Sequence, residues 1–158
     1  MQNIFGITIS YPDGKTQTFE SLFIDYNGTL AKEGCLLHGV KQKLRLLSPY
    51  VNIFVLTADT FGTVKKELGD LPIKIMTVSN GTEKAEFLKK HGRGNAIAIG
   101  NGNNDVAMFK ESQLSIGIIG PEGFAPKLME ESTIIVHSII NALELLLVPK
   151  CITATLRD

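Results

Sequence analysis

A three-layer α/β/α domain with a mainly parallel sheet and an added N-terminal β-hairpin is the fold predicted by this 158-residue sequence. Three observations lead to it. Short apolar runs of strand length recur along the chain, as strands buried on both faces require. Segments with helical spacing of apolar residues alternate with them across short connections. At the start, the turn signal Tyr11-Pro12-Asp13-Gly14 separates two strand-like segments.

The elements follow in order. Residues 4–9 and 16–19 make the hairpin, and 22–24 is the first buried strand. Residues 40–47 are helical, with Val40, Leu44 and Leu47 at i, i+4 and i+7. Strand 51–56 precedes a helix over 61–68, with Asp59 or Thr60 as N-cap and Gly69 as the stop. Strand 73–78 leads to Asn80-Gly81-Thr82-Glu83, a capping-box-like start to a helix closed by Gly92. Strand 96–99, a helix over 104–110, strand 115–119, a short helix near 125–129, strand 133–136 and a helix over 138–147 complete the pattern. That last helix is apolar almost all round, which predicts a buried element or an oligomer contact. There is no repeat, low-complexity segment or linker, so residues 1–158 read as one domain, with 1–20 as a hairpin extension.

Composition excludes several classes. Lys plus Arg and Asp plus Glu are both 16 and there is no Trp, so neither a basic field nor a base-stacking surface points to nucleic acid. Cys35 and Cys151 lie far apart with no CxxC spacing, so no disulfide framework or zinc site is expected. The first residues lack the basic region and apolar core of a signal peptide. The most apolar stretch, 134–148, is broken by His137, Asn141 and Glu144, too short and too polar to span a bilayer. A cytoplasmic protein without membrane contact is the expectation.

Function is concentrated in Leu22-Phe23-Ile24-Asp25-Tyr26-Asn27-Gly28-Thr29-Leu30. An apolar strand ends in a carboxylate and a sharp Asn-Gly turn follows, which sets Asp25 beyond a strand's carboxyl end, where open α/β sheets bind ligands. The next strand ends in Thr57 and Asp59, Lys84 lies at the start of the helix after the third, and the fourth runs into Gly100-Asn101-Gly102-Asn103-Asn104-Asp105. Singly, each has an ordinary reading: Thr57 as a β-branched strand end, Lys84 as a solvated helix lysine, Asp105 as an acid favoured by a helix dipole. Together they make up a phosphoryl-transfer kit. A carboxylate attacks phosphorus, carboxylate and carbonyl oxygens hold Mg²⁺, and a hydroxyl and a cation hold the phosphate oxygens.

These motifs resemble the haloacid dehalogenase-like phosphohydrolases, and in particular the phosphorylation domain of P-type ATPases. Asp25-Tyr26-Asn27-Gly28-Thr29-Leu30 stands where those ATPases have Asp-Lys-Thr-Gly-Thr-Leu, and Thr57-Ala58-Asp59 resembles their Thr-Gly-Asp. Lys84-Ala85 resembles their Lys-Ala helix, and Gly100 to Asp105 their Gly-Asp-Gly-x-Asn-Asp. The resemblance runs from about Ser21 to Val148 with the motifs in the family's order. It implies a HAD-like, Rossmann-like fold with Asp25 as nucleophile, and Asp25, Thr57, Ala58, Lys84 and Asn104 as the phosphate site. It also implies Mg²⁺ held by Asp25, Asp105 and the backbone carbonyl of Asn27, with Asn101 as a further oxygen donor. A response-regulator receiver has a similar toolkit but places its phosphorylated Asp on a mid-chain strand. A dinucleotide site would need a third glycine where Asp105 stands.

Two departures qualify the resemblance. Family phosphatases have a second Asp, a general acid and base, where this chain has Asn27, which can do neither. Losing such a group costs ~10²–10⁴ in rate. Asn101 replaces the first Asp of the last motif, which predicts weaker Mg²⁺ binding. Asp59 is a candidate substitute base or a helix cap, and His38 a candidate at the entrance or a plain loop histidine. Neither the stretch from Thr29 to Val51 nor that from Thr57 to Lys84 has room for a cap domain. The site is therefore expected to be open, suited to macromolecular phosphates or completed by a second subunit in a homo-oligomer. The reading is a Mg²⁺-dependent phosphohydrolase or phosphotransferase working through an aspartyl-phosphate on Asp25, with slow or specialised turnover. The alternative is a non-catalytic module that binds phosphate or a partner.

Overall fold

The computed structural model describes residues 5–59 and 62–158. Ile4, read as the first strand's start, and Thr60 and Phe61, read as a cap and a helix start, lie outside the described residues. The chain opens on an antiparallel hairpin, β1 (Ile7–Ser10) and β2 (Thr16–Phe19). Strand β3 (Ser21–Asp25) follows, then a two-stranded flap of β4 (Ala31–Lys32) and β5 (Cys35–Leu36), which the sequence did not reveal as strands. Helix α1 (Val40–Leu47), β6 (Asn52–Thr57), α2 (Thr63–Leu68), β7 (Lys74–Thr77), α3 (Gly81–Gly92) and β8 (Ala96–Gly100) come next. The chain ends with α4 (Val106–Glu111), β9 (Leu114–Ile118), β10 (Ile134–Val136), α5 (Ile139–Leu147) and α6 (Lys150–Thr155).

The main sheet has six parallel strands in the order β10-β9-β8-β3-β6-β7. From β3 the chain steps outward to β6 and β7, then returns to the other side of β3 to place β8. That reversal opens a crevice at the carboxyl ends of β3 and β8, the usual ligand site of such sheets. Every residue of β3, β8 and β9 is buried, which explains why these strands read as continuous apolar runs rather than alternating ones.

Alternation along the strands divides the core. Leu22, Ile24, Val55, Ile97 and Ile99 face one side, where α1, α5 and the hairpin residues Ile7, Ile9 and Phe19 cover them. Phe23, Phe54, Ala96 and Ala98 face the other side with Leu88, Met108 and Phe109. Phe23 and Phe54 are register partners with rings stacked 4.8 Å apart, and Phe87 meets both edge-on. Gly92 lets α3 settle onto this layer, since a Cβ there would stand 2.7 Å from that of Ala96.

Helix α5 buries one face, Ile139, Ala142, Leu143 and Leu146, as the buried-element reading expects, while Asn141 and Glu144 are exposed and Leu145 and Leu147 half-buried on the rest. A further short helix, α6, packs against β1, with the Thr153 hydroxyl donating to the Ser10 carbonyl at 2.6 Å and Ile152 fully buried. Its Thr-rich sequence carries too little apolar periodicity to be read as helix. Among the described residues no helix is long and apolar enough to cross a membrane.

The hairpin is thus part of the main core. Ile9→Ala, at a fully buried position, should cost about 2–5 kcal/mol in chemical denaturation. A near-neutral result would mean that the hairpin is an appendage.

Candidate active site

Asp25 closes β3 at the crevice and is 5% exposed. The chain then turns back at once: the N–H groups of Leu30 and Ala31 donate to the Tyr26 carbonyl at 2.9 and 3.0 Å, and Gly28 takes φ +78°. Glycine suits that position both for its positive φ and because a Cβ would meet the Asn101 amide nitrogen at 2.7 Å. The turn brings the Thr29 hydroxyl back over the site, 3.4 Å from Asp25 Oδ2 and 3.3 Å from Asn101 Oδ1.

Lys84 is delivered by α3. The helix begins as its sequence suggests, with the Asn80 side chain accepting from the Glu83 N–H at 3.0 Å. Glu83 in turn accepts from the Ser79 N–H at 2.6 Å rather than from Asn80 itself, a variant of the capping box. Gly81 allows this first turn to lie directly on the Asn104 carbonyl, where a Cβ would come within 2.7 Å. Lys84, only 2% exposed, therefore points inward, contrary to the ordinary alternative of a solvated helix lysine. Its ammonium donates to Asp25 Oδ1 at 2.5 Å and to Asp105 Oδ1 at 2.9 Å.

Asp105 sits at the base of the motif and is fully buried. Its second oxygen, Oδ2, accepts from the N–H groups of Asn101 and Gly102, both at 3.0 Å. Gly100 makes room for it, since a Cβ there would stand 2.4 Å from the carboxyl carbon. Asn101 is 9% exposed, with Nδ2 on the Gly123 carbonyl at 3.0 Å and Oδ1 accepting from the Thr29 hydroxyl.

Asp25, Lys84, Asp105, Thr29 and Asn101 are thus joined by hydrogen bonds into one cluster. Thr57 is buried at the end of β6, one step beyond Leu56, the register partner of Asp25. Its hydroxyl accepts from the Asp59 N–H at 3.0 Å, a short turn that holds the strand end. Asn27, Ala58 and Asn104 are exposed around this edge, and Asp59 is half-buried. His38 is exposed on the stretch after the flap. Thr29 and Tyr26 join the site although sequence reasoning does not single them out. The signal for Thr29 is a hydroxyl four residues after Asp25, the span that a tight turn folds back. Tyr26 is fully buried and donates to the Gly34 carbonyl of the flap at 3.2 Å, tying the turn after Asp25 to it.

The electrostatics follow from counting charges. Two buried carboxylates share one ammonium, leaving a net negative charge out of water. Burial first, and then repulsion from Asp105, push the Asp25 carboxyl up to about 7, with Lys84 and the Thr29 hydroxyl pulling back. Burial tends to lower the Lys84 ammonium, but attraction to Asp25 and Asp105 outweighs it and holds the group above its ordinary value. The donors facing this charge are all oxygens: the Asp25 and Asp105 carboxylates and the Asn101 amide oxygen. That chemistry suits a hard divalent cation. Among the described residues no group of three or more His, Cys, Asp and Glu gathers as a metal cluster, so amide and carbonyl oxygens would have to complete the shell.

The fold is that of the HAD-family phosphatases and of the phosphorylation domain of P-type ATPases. Apo phosphoserine phosphatase superimposes with a TM-score of 0.65 at 14% identity, over 80% of this chain and 98% of that one. The cobalt-bound deoxy-D-mannose-octulosonate 8-phosphate phosphatase of Haemophilus influenzae gives 0.66 at 12% identity, over 89% and 94%. A zinc-transporting PIB-type ATPase gives 0.62 at 16% identity, over 78% of this chain and 20% of that one. At such identities these are likenesses of fold. No model of a known protein family matches the chain. By sequence, it belongs to the same family as the uncharacterized protein MJ0073 of Methanocaldococcus jannaschii, 44% identical over 73 residues, which are 46% of this chain and 78% of the relative. A second protein of that organism, the uncharacterized protein MJ0072, is 41% identical over 39 residues, 25% of this chain and 89% of the relative.

The raised Asp25 carboxyl links stability to pH. Its folded value near 7 exceeds the ordinary 3.8, so the folded state binds the extra proton between them. The stability it contributes is complete below about pH 4 and is lost as pH rises through about 7. In chelator, Asp25→Asn should therefore be more stable than the natural protein at pH 8, with the gain shrinking toward pH 4. A gain independent of pH in denaturant unfolding would contradict this assignment.

Proposed function

We propose that the protein is a divalent-cation-dependent phosphohydrolase or phosphotransferase that forms an aspartyl-phosphate on Asp25. The observation that carries this reading is the Lys84 ammonium buried between Asp25 and Asp105 at the switch point of the sheet. A stability role alone explains it poorly, because a buried ion cluster with an odd charge is a weak stabiliser. A nucleophile held against a cation, in a crevice open to substrate, makes use of it.

In this reading an Asp25 carboxylate oxygen attacks phosphorus in line, and the P–O bond to the leaving group breaks as the new one forms. Lys84 neutralises the phosphoryl oxygens, and the Thr57 hydroxyl, the Ala58 N–H and Asn104 bind them from the rim. Asp25, Asp105, Asn101 and the Asn27 carbonyl would hold Mg²⁺, which when bound supplies charge that offsets the second carboxylate and the transferring group. Water then cleaves the acyl phosphate and frees inorganic phosphate.

Asn27 narrows the substrate class. It is exposed beside the nucleophile but has no proton to give and no basic site at neutral pH. Leaving groups that need no proton, as in acyl and aryl phosphates, suit this site, and alkyl phosphates do not. The phosphoenzyme should decay slowly for want of a base. Between β3 and β6 the chain carries only the flap and α1, so the entrance is uncovered there and admits a phosphate on a macromolecule. The second reading, a module that binds phosphate or a partner without turnover, rests on the same Asn27.

Incubation with Mg²⁺ and acetyl phosphate should add one phosphoryl group by intact mass, and Asp25→Asn should take none. No adduct on the natural protein, with Mg²⁺ bound, would favour the binding module. Asn27→Asp should speed turnover of an alkyl phosphate by ~10²-fold or more. An unchanged rate would refute the missing-acid account.

A further inference from the structure

We infer that Asn101 is a positioning residue: its amide clamps the 119–125 loop onto the nucleophile turn, which an aspartate in its place could not do. The inference rests on the proposed phosphoryl transfer only for what the clamped loop does, which is to wall one side of the entrance.

Asn101 ties three segments together. Its N–H donates to Asp105 Oδ2 and its Oδ1 accepts from the Thr29 hydroxyl, which joins the end of β8 to the nucleophile turn. Its Nδ2 donates to the Gly123 carbonyl at 3.0 Å, and its own carbonyl accepts from the Ala125 N–H at 2.8 Å. Residue 101 therefore grips the loop from two sides. The loop is itself closed by the Gly123 N–H on the Gly120 carbonyl at 3.1 Å. It touches the turn directly at Gly120, where a Cβ would stand 2.5 Å from the Gly28 carbonyl. The tip, Pro121 and Glu122, is exposed beside the site.

The chemistry of the side chain follows from its neighbours. The Gly123 carbonyl on one flank takes a donor and the Thr29 hydroxyl on the other donates to an oxygen, so an amide satisfies both while a carboxylate satisfies one. Aspartate would keep an oxygen toward Thr29 but set an anionic oxygen against the Gly123 carbonyl. The substitution that strengthens cation binding thus releases the loop. Asn101 is accordingly more than a degraded metal ligand, and its weaker hold on the cation accompanies a fixed entrance.

Two variants separate the effects. Asn101→Asp removes the donor and adds a charge. Gly28→Ala adds no charge but drives a methyl into the space of Asn101 Nδ2, where the approach would be 2.7 Å. Both should speed amide exchange at Gly123 and Ala125 by about tenfold or more, with β3 and β8 amides unchanged. Mn²⁺, read by electron paramagnetic resonance, should bind Asn101→Asp about tenfold more tightly and Gly28→Ala no more tightly than the natural protein. Both variants should also need more acetyl phosphate for half-maximal phosphorylation. Unchanged loop exchange in Asn101→Asp would overturn the clamp, and so would tighter Mn²⁺ binding in Gly28→Ala. If the natural protein takes no phosphoryl group, the functional reading falls, while the exchange and Mn²⁺ results still decide the clamp.

Discussion

One buried ammonium shared by two carboxylates organises this molecule. Lys84 reaches Asp25 at the end of β3 and Asp105 after β8, so a single cation fastens α3 to the two strands flanking the crevice. Removing Lys84 would leave both carboxylates uncompensated out of water, a loss of about 3–5 kcal/mol in comparable buried pairs, whereas removing the Asp25 charge leaves Lys84 and Asp105 balanced. The excess carboxylate is the other side of the arrangement. It keeps the site short of positive charge, an all-oxygen setting whose chemistry suits a hard cation.

The close approaches around the cluster come from small residues. Gly28, Gly81, Gly100 and Gly120 each stand where a Cβ would crowd a neighbouring amide, carbonyl or carboxyl group. They let the turn after Asp25 meet Asn101 and the 119–125 loop, and α3 lie on the loop that carries Asp105. The cluster lies on β3, β8 and α3, and the flap and the 119–125 loop are tied to it by Tyr26 and Asn101. Asn27 lies exposed at the same edge.

Much of this is legible in the sequence, for physical reasons. Strands buried on both faces show as apolar runs, so β3, β6 and β8 are recognisable within a residue or two, and the Asn80 cap marks α3. Asp25, Lys84 and Asp105 are legible because chemistry-bearing residues recur at strand ends in a known order. The four residues of β4 and β5 are too few to show a period, and α6 is held by contacts with the hairpin rather than by its own pattern. Thr29 and Gly123 stay hidden because their roles depend on chain reversals. A hydroxyl four residues downstream and a carbonyl 22 residues beyond Asn101 meet the site only once the turns are built. The burial of Lys84 is likewise invisible, since nothing local distinguishes it from Lys89 on the same helix.

The most direct test of Asp25 as nucleophile is a crystal structure with Mg²⁺ and beryllium fluoride, a mimic of the acyl phosphate. The expected result is a beryllium trifluoride group bonded through beryllium to an Asp25 oxygen, with Lys84 turned onto a fluorine and Mg²⁺ present beside it. An adduct elsewhere, or an Asp25 carboxylate still paired with Lys84 and free of beryllium at saturating concentration, would contradict it.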